Sequence, residues 1–225
     1  MTGMLASVNS VKEAMLVLAA QVDIIDLKQP ASGALGALET DLVREIVLAI
    51  AGRCPVSATV GDLPMQPELV FNAVQAMAST GVNYVKIGFF PNGECLLTVE
   101  KLAELTAQHA LIAVLFADTQ PDFAVIPVLK QAGFNGVMLD TMNKQHGSLI
   151  QVMSINKVAE FVQVSKNQCL LCGLAGSLKQ QDIATLLPLQ ADYLGFRGAL
   201  CEQQQRIGQL NPVAIAQIKQ TIAII

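Results

Sequence analysis

Aromatic residues are scarce in this sequence: tryptophan is absent, and aromatic residues together make up 4% of the chain. A large core is still expected, because 52% of the residues are hydrophobic and only 14% are charged. Such a core must be built mainly from aliphatic side chains, which is typical of buried parallel strands. The length of 225 residues matches one α/β barrel or one large α/β domain.

Basic clusters and long apolar runs are also missing, and their absence excludes two kinds of partner. No run of Lys or Arg occurs and the formal net charge is −4, so a nucleic-acid-binding surface is not expected. No apolar stretch reaches the ~18 residues of a membrane span. The N-terminus lacks a basic region followed by an apolar run, so no signal peptide is expected. We predict a cytoplasmic protein that binds neither nucleic acid nor membrane.

The five cysteines are odd in number and scattered, and the two histidines fall in no triad or metal-ligand spacing. Scattered thiols suit a reducing cytosol better than a disulfide framework. Cys169 and Cys172 form a lone C-x-x-C motif, which we predict to lie inside a strand as buried thiols. The sequence therefore predicts no metal site and no cofactor.

Short apolar runs alternate with amphipathic stretches eight times along the chain, which indicates strand–helix pairs. The connections are too long for hairpins, so we predict parallel strands and a single-domain α/β fold, a (β/α)8 TIM barrel over residues 1–225. An open doubly wound sheet is the alternative, but no Gly-x-Gly-x-x-Gly follows the first strand. The predicted strands are Met4–Val8, Val22–Leu27, Val56–Val60, Tyr84–Ile87, Leu111–Phe116, Asn135–Leu139, Cys169–Cys172 and Tyr193–Phe196.

Capping signals predict where several helices begin. Ser10-Val-Lys-Glu13 and Ser177-Leu-Lys-Gln180 both have the pattern of a capping box. Pro121 is predicted to open a helix that ends at Gly133. Asn211-Pro212 is predicted to cap the last helix.

Charged residues stand at the carboxyl ends of the apolar strands, where barrels of this kind hold their active sites. Alternate residues of a strand share a face, so Asp26 and Lys28 are predicted to point to the same side. The charged residues at these ends are Asp26, Lys28, Asp62, Lys86, Asp118, Asp140, Lys144 and Arg197.

Lys28 and Lys86 are the most informative of these residues. A resting ion pair between Asp26 and Lys28, or a lysine whose amine reaches solvent, would account for one lysine at the end of an apolar strand. Neither accounts as well for two lysines, each at the same end of its strand. Two ammonium groups in one cavity lower each other's pKa, which frees an amine to act as nucleophile or base near neutral pH. We therefore predict lysine chemistry, including a Schiff base, with Asp26 and Asp140 limiting the positive charge and carrying protons.

The segment Gly173-Leu-Ala-Gly-Ser177 has the character of a phosphate site. Small residues let backbone N–H groups approach an anion, and phosphates in barrels frequently bind after strands seven and eight. The predicted helix start at Ser177 would add a helix N-terminus. The predicted substrate- and phosphate-binding residues are Asp118, Gly173, Ala175, Gly176, Ser177, Arg197, Gly198 and Ala199. From the residues alone, we predict a barrel enzyme for a phosphorylated, carbonyl-bearing substrate.

The segment Asp26-Leu-Lys-Gln-Pro-Ala-Ser-Gly-Ala-Leu-Gly36 resembles the signature of the (5-formylfuran-3-yl)methyl phosphate synthase family, also called 4-(hydroxymethyl)-2-furancarboxaldehyde-phosphate synthase. Further segments resemble that family in the same order, namely 57–62, 84–88, 138–144, 174–177 and 197–199. The resemblance covers nearly the whole chain. It implies a barrel enzyme in the biosynthesis of methanofuran or of a related cofactor used in one-carbon metabolism.

The resemblance also implies a reaction and roles for individual residues. Such a lyase joins two molecules of glyceraldehyde 3-phosphate into a phosphorylated furan aldehyde and releases phosphate and water. Lys28 would be the Schiff-base lysine and Lys86 the proton acceptor, while Asp26, Asp140 and Lys144 would assist proton transfer. Triose phosphates would be the small-molecule partners, no cofactor is implied, and a homo-oligomer is left open.

Two departures from the family pattern stand out: Gln29 replaces a common Asn, and 202–206 is poorer in basic residues. Two alternative functions also remain open from the sequence. An ordinary Schiff-base aldolase for triose phosphates would need the Lys28 imine but not the late eliminations. A non-catalytic phosphometabolite-binding barrel would bind triose phosphates without forming an imine that borohydride can reduce.

Overall fold

A closed barrel of parallel strands forms the centre of the molecule. The computed structural model describes residues 2–224, in which each strand is hydrogen-bonded to the next and the last closes onto the first. The predicted (β/α)8 TIM barrel is therefore confirmed. The strands are β1 (Gly3–Val8), β2 (Ile24–Leu27), β3 (Val56–Thr59), β4 (Tyr84–Gly88), β5 (Ala110–Phe116), β6 (Gly136–Asp140), β7 (Leu171–Leu174) and β8 (Tyr193–Phe196).

Helices connect the strands and cover the outside of the barrel. Between residues 2 and 224, no helix is both long and apolar enough to pass through a membrane. The helices are α1 (Val11–Ala19), α2 (Thr40–Ile50), α3 (Pro67–Ala78), α4 (Cys95–Leu102), α5 (Val125–Gln131), α6 (Leu149–Val152), α7 (Ile155–Asn167), α8 (Ile183–Leu186) and α9 (Pro212–Ile224).

Alternation along the strands divides the apolar residues between two cores. Outward-facing residues such as Ile25 belong to the large core under the helices, whereas Ile24 lies in a smaller cluster inside the barrel with Leu5. Because side chains alternate along a strand, Asp26 and Lys28 continue the inward face that begins at Ile24. The sequence of β2 thus places an apolar side chain low in the barrel and two ionisable groups above it.

Two of the predicted helix caps are confirmed. The Ser10 hydroxyl accepts a hydrogen bond from the N–H of Glu13 at 3.3 Å, and Asn211 Oδ1 accepts one from Val213 N–H at 2.9 Å. The Glu13 carboxylate takes the N–H of Asn9 rather than that of Ser10. The predicted capping box at Ser10 is therefore only half formed, and Glu13 serves a second partner described below.

The predicted helix start at Pro121 is wrong. The chain leaves β5 through a 3₁₀ turn and adopts a left-handed conformation at Gln120, with φ of 52°. The Asp122 carboxylate then accepts the N–H of Ala124, and α5 begins only at Val125. Residues 121–124 therefore belong to the turn after β5 and not to the helix that was predicted to begin at Pro121.

The predicted helix start at Ser177 is also wrong. Ser177 has φ of 48°, a left-handed value that does not lead into a helix, and its hydroxyl donates to the Lys144 carbonyl at 3.4 Å. The next helical turn begins at Gln180, where the Asp182 carboxylate accepts the N–H of Lys179 at 2.9 Å. The segment after β7 is therefore an irregular loop that ends in a short 3₁₀ turn.

The two cysteines of the C-x-x-C motif lie in different environments, which corrects their predicted placement. Cys169 is exposed and has φ of 52° in the turn between α7 and β7. Cys172 is buried in β7, and this burial raises the pKa of its thiol to about 12. The strand begins at Leu171 because the chain must first reverse direction at Cys169.

Candidate active site

A pocket of about 400 Å³ opens at the carboxyl ends of the strands. Its volume falls within the ~300–1,000 Å³ that ligand pockets commonly occupy. Residues predicted from several strand ends meet there. Those that line it are Asp26, Lys28, Lys86, Asp140, Lys144, Ala175, Gly176, Ser177, Arg197, Gly198 and Ala199.

Asp26 is the centre of a buried hydrogen-bond network at the floor of this pocket. The parallel register places Ser7 of β1 and Ser57 of β3 on either side of it. The Ser7 hydroxyl donates to Asp26 Oδ2 at 2.9 Å and the Ser57 hydroxyl to Oδ1 at 2.7 Å. Lys86 Nζ donates to the same Oδ1 at 2.9 Å. Both oxygens are therefore satisfied, as a buried carboxylate requires.

Burial by itself would raise the pKa of Asp26, but the charges of Lys86 and Lys28 and two hydrogen bonds outweigh it. The pKa of this carboxyl is therefore lowered, and it is ionised at neutral pH. The expected resting pair of Asp26 with Lys28 is wrong, since the partner is Lys86. Asp26 and Lys28 share a face but lie about 6.6 Å apart along the strand at roughly 3.3 Å per residue, whereas Lys86 reaches Asp26 from β4.

Lys28 is buried, with 7% of its surface exposed. Among residues 2–224 its Nζ makes no ion pair or hydrogen bond, whereas Lys86 and Lys144 each hold a carboxylate. Burial lowers the pKa of Lys28 to about 8, opposed by the charge of Asp140 and assisted by that of Lys144. A substantial fraction of this amine is therefore neutral and nucleophilic near physiological pH.

Asp140 and Lys144 form a second ion pair at the pocket wall, 2.5 Å apart. Asp140 Oδ1 also accepts the N–H of Thr141 at 2.7 Å, and Lys144 Nζ donates to the Thr141 carbonyl. Burial would raise the pKa of Asp140, but the charges of Lys144 and Lys28 lower it to about 2. The pair joins a fixed carboxylate to a partly exposed ammonium beside Lys28.

Two turns after β7 and β8 present backbone N–H groups to the pocket. Gly176 has φ of 107°, and a Cβ there would lie 2.8 Å from the Thr141 side chain, so this position requires glycine. Among residues 2–224, no acceptor takes the N–H of Gly176 or Ser177. The same holds for Gly198 and Ala199 at the start of the turn after β8. Free amides in a concave turn can bind an anion without a helix N-terminus.

Arg197 lines the pocket, but its guanidinium is directed towards Glu13 of α1. Nη1 and Nη2 bond the two Glu13 oxygens at 2.5 and 3.2 Å. The remaining donors bond the carbonyls of Ser7, Arg206 and Gly208. All five N–H donors of the guanidinium are therefore used within the protein, so this arginine ties the last strand to the first helix.

The structure does not bring Gly173 and Asp118 to the pocket wall. Gly173 lies lower in β7, where an added Cβ would meet Met138 Cε at 2.7 Å, and it lines a separate small apolar cavity. Asp118 lies beside the loop after β6, where its carboxylate accepts the N–H groups of Met142 and Asn143, each at 2.7 Å. Asp118 therefore holds the loop that carries Lys144.

The residues of the pocket that were not predicted from the sequence include Ser7, Lys179 and Arg206. Ser7 could have been found, because it alternates with Leu5 on the inward face of the first strand. Lys179 and Arg206 stand in loops without periodicity, so the sequence alone carries no signal of their direction.

Solved structures resemble the fold at low sequence identity. The 3-hexulose-6-phosphate synthase of Salmonella typhimurium matches with a TM-score of 0.71 and 15% identity, covering 99% of both chains. The phosphoribosyl anthranilate isomerase of Thermotoga maritima matches with a TM-score of 0.71 and 11% identity, again over 99% of both chains. These similarities concern the barrel fold alone.

Sequence relatives are far closer. A protein of Methylorubrum extorquens, provisionally named (5-formylfuran-3-yl)methyl phosphate synthase, is 38% identical over 95% of this chain and 89% of its own length. The (5-formylfuran-3-yl)methyl phosphate synthase of Methanocaldococcus jannaschii is 31% identical over 96% of this chain and 98% of its own. The family model described as 4-HFC-P synthase matches residues 4–219. The resemblance noted in the sequence is thereby confirmed, and the chain belongs to the 4-HFC-P synthase family.

Proposed function

We propose that this protein condenses two molecules of glyceraldehyde 3-phosphate into (5-formylfuran-3-yl)methyl phosphate, with release of one phosphate and two waters. The product would serve the biosynthesis of a methanofuran-type cofactor. The observation that carries the proposal is the buried Lys28, whose amine forms no ion pair or hydrogen bond among residues 2–224 and whose pKa is lowered to about 8. Family membership supports the product, and the motif resemblance supports the substrate.

The first step is imine formation at Lys28. Its neutral amine attacks the aldehyde carbon, a C–N bond forms, and the carbonyl oxygen takes a proton to give a carbinolamine. Loss of that oxygen as water needs a proton donor. Lys86 is held as an ammonium by the ionised Asp26, so it can supply this proton and become a neutral amine.

The second step uses the amine that the first step produced. Once neutral, Lys86 accepts the proton on the carbon next to the imine, and the electron pair moves to the Lys28 nitrogen to give an enamine. The proton that Lys86 donated is thereby replaced, and its pair with Asp26 is restored. The enamine carbon then forms a C–C bond to the second triose phosphate.

The later eliminations and ring closure need further proton transfers. Asp140 and Lys144 are suited to them, because the pair joins an acceptor to a donor next to Lys28. The charges of Lys86 and Lys144 would also counter the phosphates of the substrates, which bring roughly four negative charges near neutral pH. The free amides of Gly176, Ser177, Gly198 and Ala199 would hold one phosphate.

Trapping with borohydride tests the proposal. Incubation with glyceraldehyde 3-phosphate and borohydride should leave a reduced adduct that peptide mass mapping locates on Lys28. A Lys28→Met variant should give no adduct, whereas Lys12→Met, which removes an exposed lysine of α1, should behave as wild type. An adduct elsewhere would overturn the assignment. A furan chromophore with released phosphate would separate this reaction from that of an ordinary aldolase.

A further inference from the structure

The charged groups around the pocket do not balance. Six cationic side chains line it but only two carboxylates do, although the chain as a whole carries a net charge of −4. Two lysines pair with those carboxylates, and Arg197 pairs with Glu13. The cationic groups left over are Lys28, Lys179 and Arg206. Lys28 is assigned to the imine, so Lys179 and Arg206, which form no ion pair within the described range 2–224, have no role in the chemistry described above.

Arg206 lies in the loop between β8 and α9 and is half-buried at the pocket wall. Its Nη2 donates to the carbonyl of Gly33 at 2.8 Å, which is the one hydrogen bond of its guanidinium among residues 2–224. Four of its five N–H donors are therefore free. Arg197 shows the opposite arrangement, since all its donors are occupied, and its Nε bonds the Arg206 carbonyl at 2.8 Å.

The two carboxylates whose charges act on this guanidinium, Asp140 and Asp62, are engaged elsewhere. Asp140 holds Lys144, and Asp62 accepts the N–H groups of Ala34 and Leu35, each at 2.7 Å. Neither forms an ion pair with Arg206 in the part of the chain that the structure describes. Burial lowers the pKa of Arg206, opposed by the charges of Asp140 and Asp62. A partly desolvated guanidinium with a free edge is well suited to an external oxyanion.

We propose that Arg206 binds the phosphate group of the second triose phosphate, with Lys179 contributing a further positive charge from the loop after β7. This inference rests on the proposed function, because that reaction brings two phosphates into one pocket. The turns of Gly176 and Gly198 supply amides for one of them. Arg206 supplies a planar donor pair for the other, and its bond to Gly33 sets it against the loop that follows Lys28.

Binding of inorganic phosphate to the full chain, measured by calorimetry, tests the site without the reaction. Wild type should bind two phosphate ions and Arg206→Gln only one. Arg206→Lys, which keeps the charge but loses the planar donor pair, should weaken the second ion about tenfold. Arg44→Gln, which removes an exposed arginine paired with Asp41, should bind two ions. One ion in wild type, or two in Arg206→Gln, would overturn the inference.

Kinetics separates this inference from the proposed function. Arg206→Gln should still form the borohydride-reducible imine at Lys28, yet its KM for glyceraldehyde 3-phosphate in furan formation should rise about tenfold to hundredfold. If Arg206→Gln formed the furan with an unchanged KM, the phosphate site at Arg206 would be overturned and the proposed reaction would stand. If wild type bound two phosphate ions but formed no furan, the proposed reaction would be overturned and the phosphate site would stand. If Arg206→Gln does not fold, Arg206→Lys decides, and wild-type phosphate affinity in that variant would overturn the site.

Discussion

Lys86 Nζ lies 2.9 Å from Asp26 Oδ1, and both side chains are buried beneath the pocket. This pair occupies the Asp26 carboxylate, and the Lys28 amine forms no ion pair or hydrogen bond in the described residues 2–224. In the proposed reaction, the same pair would keep a protonated amine next to a carbonyl held at Lys28. In that reaction, this buried ion pair would separate the two lysines into a nucleophile and a proton carrier.

Imine formation should depend on pH through the Lys28 amine. A protonated amine cannot attack an aldehyde, and the pKa of Lys28 is lowered to about 8. The initial rate of adduct formation with glyceraldehyde 3-phosphate should therefore rise with pH and be half-maximal near pH 8. Trapping at a series of pH values in buffers of constant ionic strength measures this profile.

Asp140→Asn provides a matched test of that profile. The negative charge of Asp140 raises the pKa of Lys28, so its removal should move the half-maximal point to lower pH. A shift to higher pH, or none, would contradict the electrostatic account. Asp41→Asn, which removes an exposed carboxylate of α2, should leave the profile unchanged.

Lys28→Met should stabilise the fold at neutral pH. The pKa of Lys28 is 10.5 ordinarily and about 8 in the folded protein, so protonation costs the folded state free energy. That cost is fully present below pH 8 and disappears as pH rises towards 10.5, because the unfolded chain binds the extra proton in this window. The free energy of unfolding should rise on the order of 2 kcal/mol at pH 7.

Denaturant unfolding at pH 7 and pH 10 checks this gain, which should be much smaller at pH 10. Lys12→Met should change stability by no more than about 0.5 kcal/mol at either pH, as is usual for surface changes. A Lys28→Met variant less stable than wild type at pH 7 would show that the amine is stabilised in the fold.

Asp26→Asn should destabilise the fold strongly. The substitution removes the charge that holds Lys86 in the barrel and changes the acceptor of Ser7 and Ser57. Removing one partner of a buried pair typically costs about 3–5 kcal/mol. Asp41→Asn breaks an exposed pair with Arg44 and should cost less than about 1 kcal/mol. If Asp26→Asn and Asp41→Asn lowered the free energy of unfolding equally in denaturant, the expected difference between the buried and the exposed pair would be refuted.

Lys86→Met should form the trapped imine at Lys28 more slowly, because it lacks the proton donor of the dehydration step, and should lose product. Without Lys86 no amine is placed to accept the proton from the carbon next to the imine. The rate of furan formation should therefore fall about 10²- to 10⁴-fold, the usual contribution of general acid–base catalysis. Since this variant leaves Asp26 buried without its partner, the double variant Asp26→Asn/Lys86→Met is the matched control for stability. Wild-type furan formation in either variant would remove Lys86 from this role.

Glu13→Gln should weaken the fold without affecting phosphate binding. Arg197 was predicted from sequence as a phosphate counter-charge, but its donors bond Glu13 and three carbonyls. Loss of the Glu13 charge should cost about 3–5 kcal/mol in denaturant unfolding, as for other buried pairs. Glu45→Gln, on the exposed side of α2, should cost little. A large change in phosphate affinity in Glu13→Gln would restore the predicted role of Arg197.

Strand ends were predictable because alternation fixes which way a side chain points. Asp26, Lys28 and Lys86 lie on the inward face at one end of their strands, as their spacing in β2 and β4 indicates. Loops carry no such period. The turn after β5 displaced the helix predicted from Pro121, and Ser177 proved to be left-handed instead of capping a helix.

The sequence by itself determined the barrel, its rim of charged residues and the family, because these depend on periodic patterns and on local motifs. Only the tertiary structure decided which charges pair. Lys86 pairs with Asp26, Lys144 with Asp140 and Arg197 with Glu13, whereas Lys28 and Arg206 form no ion pair among residues 2–224. Lys86 and Asp26 belong to β4 and β2, and Arg197 and Glu13 lie after β8 and in α1, so these pairs join segments far apart in sequence that only the folded barrel brings together.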